Sequence, residues 1–215
     1  MSGLSTALGM TTKALSVAFD LVREVQLRQV TESMLKYEVS PIEVTDATAS
    51  RFIILYQATM AAQCKEKMDM LMALYWGHQK PELSDFDLYE EQMRVVGDLS
   101  RLEIILLVHL DKFHECHSWP KENDEAGMLN FMRTYYAEAA KLAKRAPSGL
   151  PDLFVRLNRT GLIIFSNTGY GNLPGVTEEE NEYFRFPPIP SKAYLQIKSH
   201  INDKFYAEYS AKVVV

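Results

Sequence analysis

Cysteine is nearly absent: the 215 residues contain two, Cys64 and Cys116. One pair cannot build the disulfide framework of small extracellular domains. Both fall inside helical patterns, which predicts reduced thiols in a cytoplasmic protein. Long apolar runs are missing as well. Even Ile104-Ile105-Leu106-Leu107-Val108 is bounded by Glu103 and His109, and a membrane span needs roughly 20 apolar residues, so none is expected. Residues 1–10 carry no basic n-region and no cleavage pattern, so no signal peptide is predicted. Glycine is scarce before the last third: between Met10 and Gly149 only Gly77, Gly97 and Gly127 occur. Positive charge is in deficit, with a net of −5. Residues 1–118 hold 11 Lys+Arg against 17 Asp+Glu, a net of −6, and residues 119–215 hold 12 against 11, a net of +1. An acidic body works against phosphate binding, because affinity for a nucleic-acid backbone comes mainly from cations that displace counterions.

What is abundant is helical periodicity. Leu15, Phe19, Val22, Val30, Met34 and Tyr37 recur at steps of three, four and seven, predicting a helix over about 5–37 that stops ahead of Pro41. A second helix is expected from Thr45 or Asp46 to Tyr75. Ile53, Met60, Lys67 and Leu74 in it fall at sevens, as do Gln57, Cys64 and Leu71, a diluted coiled-coil seam. A third is expected from Ser84 to about Trp119. Leu99, Leu102, Leu106, Leu110 and Phe113 line its apolar face, suited to the centre of a bundle or to a homo-oligomer interface. A fourth starts at Asn123 or Asp124 and ends before Pro147. The expected fold is therefore mostly α, with residues 1–146 as a long-helix bundle or coiled-coil-like hairpin.

Near Gly149 the character changes. Leu150 to Leu157 can form a short helix, and Asn158-Arg159-Thr160-Gly161 stops it. Leu162 to Phe165 reads as a strand, Ser166 to Gly175 as a glycine loop and Glu182 to Phe186 as a second strand. Ser191 would cap a last helix. Residues 147–215 thus form a small α+β module with a two-stranded ribbon, packed with the helix over 123–146. The segment from about Leu129 to Phe205 resembles a winged helix at the level of pattern. That resemblance implies a helix that can enter a major groove and a wing that can touch the backbone. Lys141, Lys144, Arg145, Arg156 and Arg159 form a local cationic cluster with Asp152 the only acid between 139 and 160. Against phosphate stand Glu178, Glu179, Glu180 and Glu182 on the would-be wing. The balance favours a protein partner over nucleic acid.

Two further constellations bear on chemistry. His109, His114 and His117, with Asp111 between, include pairs at i, i+3 that can serve a metal. No Glu-x-x-His and no His-Glu-x-x-His motif accompanies them, so polar residues at a helix end are the expected account and no metal is expected. Ser166 to Asn172 lacks a complete nucleotide fingerprint and reads as a turn. No cofactor and no nucleophile–base pair is expected. The sequence thus predicts a non-enzymatic cytoplasmic interaction or regulatory protein that self-associates through its helices. The alternatives are a nucleic-acid-binding regulator and a metal-dependent helical-bundle enzyme.

Overall fold

The computed structural model describes residues 24–25, 27–29, 31–33, 35–37, 45–79, 85–120, 124–165, 177, 187–201 and 203–213. The elements in chain order are α1 (within 24–37), α2 (Asp46–Ala61), α3 (Lys65–Gly77), α4 (Phe86–Asp98), α5 (Arg101–Cys116) and α6 (Glu125–Ala143). A 3-10 turn (Pro147–Gly149) follows, then α7 (Pro151–Arg159), β1 (Ile163–Phe165), β2 (Pro188–Pro190), α8 (Lys192–His200) and α9 (Asp203–Val213). The chain is mostly helical with a small antiparallel sheet, and among the described residues no helix is long and apolar enough to cross a membrane.

The starts of these helices follow local chemistry. Thr45, Asp85, Ser100, Asp124 and Ser191 each accept a backbone N–H of the first turn, satisfying donors that a helix end leaves unpaired. The two long helices of the expected hairpin are each broken. The second stops at Ala62, whose backbone is extended, and restarts at Lys65. Just before the break, the Thr59 hydroxyl donates to the carbonyls of Leu55 and Tyr56, which bends a helix. The third breaks at Leu99-Ser100. There Ser100 and Glu103 form a reciprocal capping box, with Ser100 N donating to Glu103 Oε2 at 2.7 Å. The heptad seam is accordingly not continuous, and Lys67 in it donates to the Gly97 carbonyl at 2.7 Å.

The breaks turn α3 and α5 inward. Every residue from Met68 to His78 is buried, so α3 is a central helix enclosed on all sides. Helices α2 and α4 pack on it and on each other. Helix α5 lies beside α3 and receives α6, α7, β2 and α9. The C-terminal helices therefore return to the centre of the body. α9 packs on α5 and α3, and α8 reaches α3. Buried side chains from both sides of Gly149 belong to one hydrophobic core. Phe154 of α7 fits between Tyr135 and Tyr136 of α6.

The ribbon pairs Ile163 with Pro190, Ile164 with Ile189 and Phe165 with Pro188. The partner of β1 is therefore 188–190; the expected strand at Glu182–Phe186, like the acidic run Glu178–Glu182, lies outside the described residues. Ser191 N donates to the Leu162 carbonyl at 3.0 Å and continues the ladder. Because antiparallel residues alternate in direction, Ile189 and Ser191 face β1 while Pro188 and Pro190 turn their nitrogens away.

Candidate functional site

The three histidines do not converge. Each ring is stacked on a different aromatic side chain: His109 on Tyr135, His114 on Trp119 and His117 on Phe113. His114 Nε2 lies 3.3 Å from the Pro188 carbonyl and His117 Nδ1 lies 3.1 Å from that of Phe113, so both serve packing of the α5 end. Among the described residues no group of three or more metal-binding side chains forms.

His109 is 2% exposed and its Nε2 has no hydrogen-bond partner; the Glu138 carboxylate stands 3.9 Å away. Burial lowers its pKa to about 4, partly offset by a backbone hydrogen bond at Tyr135. The ring is thus neutral when folded and has an ordinary pKa near 6.5 when unfolded. A depressed histidine favours the folded state above its unfolded pKa, and this contribution is lost as pH falls from 6.5 towards 4. Urea unfolding should show about 2 kcal/mol of this loss between pH 7 and 4.5, missing in His109→Phe. An unchanged slope in the variant would refute the neutral ring.

The cationic cluster is divided. Lys141, Lys144, Arg145 and Arg159 are exposed. Arg156 is exposed as well, yet it clamps α7 to the start of α5, with Nε 3.2 Å from Glu103 Oε1 and Nη2 3.4 Å from Oε2. Glu103 is buried, so Arg156 satisfies a charge the fold itself has enclosed. Lys144 closes α6 in the left-handed region, at φ 52°.

The leucines expected at an interface are part of the core. Leu99, Leu106 and Leu110 are fully buried and Leu102 is half-buried against the same core. Helix α5 therefore takes an inner position that its apolar circumference suits, and Leu106 and Leu110 are not accessible to a partner.

Three polar clusters escaped the sequence reading. Asp69 on α3, wholly buried, accepts from Ser33 Oγ at 2.6 Å, Tyr209 OH at 2.7 Å and Lys36 Nζ at 3.2 Å. Lys36 also pairs with Glu208. This clasp ties α1 and α9 to the centre. Second, Gln92 Oε1 lies 2.8 Å from His78 Nε2 and 3.0 Å from His200 Nδ1, joining α4, α3 and α8 deep in the body. Third, Lys198 of α8 lies 2.6 Å from Asp111 and 2.7 Å from Glu115, beside a cavity of about 140 Å³ that Asp203 and Tyr206 also line. Burial raises the Asp111 pKa despite Lys198, whereas hydrogen bonding to Lys198 lowers that of Glu115. Burial acts against the Lys198 charge, but the two carboxylates outweigh it and raise its pKa. The ammonium is held by the fold and is not a free nucleophile.

The surface offers a different feature. On α2, Phe52, Ile53 and Tyr56 are 40%, 57% and 37% exposed. Beyond Asp46 the helix has one charged residue, Arg51, and that is buried, bonding the His78 carbonyl at 3.1 Å. Arg51 spends its charge inward and leaves the outward face of α2 uncharged. The signal was present in the sequence as Phe52-Ile53-Ile54-Leu55-Tyr56, a run apolar all round on a helix with only one face to bury. The chain matches no protein-family model, no curated protein and no solved structure.

Proposed function

We propose that this protein is a non-catalytic interaction protein, acting in the cytoplasm with both thiols reduced, and that the outward face of α2 is its docking surface. The observation that carries this reading is the exposure of Phe52, Ile53 and Tyr56 on a helix face whose one exposed charge, Asp46, lies in the first turn. Apolar patches of this kind mark contact with another macromolecule. The polar clusters do not compete as active sites, because each is closed on its own partners and joins helices to one another. A photo-crosslinking side chain at position 53, introduced in the native cell, should yield a covalent adduct with a polypeptide. The same group at exposed Asp87 on α4 should yield none. Equal, negligible yields at both positions would overturn the reading.

A second reading rests on the C-terminal order. Helix α7, β1 and an antiparallel β2 follow one another as in a winged-helix-like module, and Lys144, Arg145 and Arg159 are exposed on and beside α7. Nucleic-acid binding through this patch would be steeply salt-dependent. Retention on DNA that is unchanged in Arg145→Ala plus Arg159→Ala would exclude it. Arg156 is unsuited to this test because it supports Glu103.

A further inference from the structure

We infer that the occupant of the α2 face is a second copy of this chain, packed antiparallel across a two-fold axis. The inference rests on the docking role proposed for α2 and adds the identity and direction of its partner.

The spacing comes first. Ala49, Ile53 and Tyr56 stand at steps of four and three, the rhythm that keeps one stripe of a helix against another helix. Ala49 is exposed at one end of the stripe, and the half-buried Met60 continues it at the other. In an antiparallel pair centred between Ile54 and Leu55, Ile53 faces Tyr56 of the second copy and small Ala49 faces large Met60. Small Ala49 thus leaves room for Met60 at each end of the pair, as close packing requires. A parallel pair would set Ala49 on Ala49 and Tyr56 on Tyr56, leaving a gap at one level and a collision at another.

Charge then selects both the partner and the direction. The chain carries −5 overall, so two copies repel wherever their carboxylates approach. The outward face of α2 avoids this along its length. Its only exposed charge is Asp46, in the first turn. Antiparallel pairing carries Asp46 to the far end of the second α2, where that helix bears no charge, and keeps the two Asp46 carboxylates apart. Parallel pairing would bring Asp46 onto Asp46. The helix dipoles favour the same direction, and a two-fold makes one self-complementary patch serve both copies.

The test uses the full chain and two substitutions at one exposed position. Sedimentation equilibrium of the unaltered protein should give a dimer. Ile53→Asp and Ile53→Lys should each dimerise at least about a hundredfold more weakly, as loss of a central anchor does. Both should retain the helical circular dichroism and the melting temperature of a folded monomer. Mixed together, the two variants should form a heterodimer, since residue 53 of each copy lies within a turn of the axis and the charges are opposite. Failure of the mixture to associate would overturn the two-fold geometry. A dimer that neither substitution weakens would place the interface elsewhere. A monomeric parent protein would also overturn the inference: variants that then melt lower would put a segment of the same chain on α2. A monomer that nevertheless crosslinks to a different polypeptide from position 53 would leave the docking role standing and remove only the second copy.

Discussion

Gly77→Ala is expected to remove about 4 kcal/mol of stability or more, at the far end of single-substitution effects. Gly77 is the last residue of α3 and is buried against the end of α8. A Cβ placed there would lie 2.6 Å from the His200 carbonyl carbon and closer still to its oxygen. Both are backbone atoms, so no side chain can rotate aside. The demand is for space and not for an unusual φ, because Gly77 is an ordinary helical residue. Relief would require α8 to move away, and with it His200, which shares Gln92 with His78. Gly97→Ala is the matching control. Nothing lies within 4 Å of a Cβ at that position, so alanine inside α4 should be neutral or stabilise by about 0.5 kcal/mol. Urea unfolding of the two variants side by side measures the difference. Equal midpoints would show that α3 and α8 are not in backbone contact.

Asp69→Ala should remove about 3 to 4 kcal/mol, because it takes one shared buried acceptor from three donors on two helices, α1 and α9. Ser33, Lys36 and Tyr209 all meet this carboxylate. Burial raises the Tyr209 pKa far above the tyrosine range, with the Asp69 hydrogen bond and charge adding to it. The hydroxyl therefore stays protonated and needs an acceptor at every relevant pH. The effect should be local as well as global. Hydrogen exchange should rise first in the last turn of α1 and in α9. Asp69→Asn retains the volume and one acceptor, so it should fall between the parent and alanine. A loss below about 1 kcal/mol for alanine would class the clasp with ordinary surface ion pairs.

Helix positions and caps were legible in the sequence because they are local. Thr45, Asp124 and Ser191 begin their helices as their side chains predict. The Ser100-Arg101-Leu102-Glu103 box was also written there, but the apolar periodicity runs straight through it and conceals the break. The break at Ala62 carries no glycine or proline. It exists because α3 must enter the centre, which is a tertiary demand. The site was harder. Apolar spacing shows that a helix has a sticky side without showing what that side meets. The leucines of α5 and the aromatic run of α2 look alike in sequence, yet one is core and the other is surface. Nothing local in the sequence marks Asp69 or Arg51 for burial. Their burial depends on partners 33 to 140 residues away or on a carbonyl of another helix, separations that no window of sequence spans.

The prolines of β2 have a consequence for how this protein can polymerise. With the nitrogens of Pro188 and Pro190 turned away from β1, the outer margin of the ribbon presents no backbone donor. An incoming strand needs alternating donors and acceptors, and here it would find only carbonyls, one of which faces His114. Growth by strand addition, the common route from an unpaired edge to fibrils, is blocked on that side by covalent structure. Stacking of copies into a cross-β array is therefore closed along β2 under any solution condition that leaves the ribbon folded.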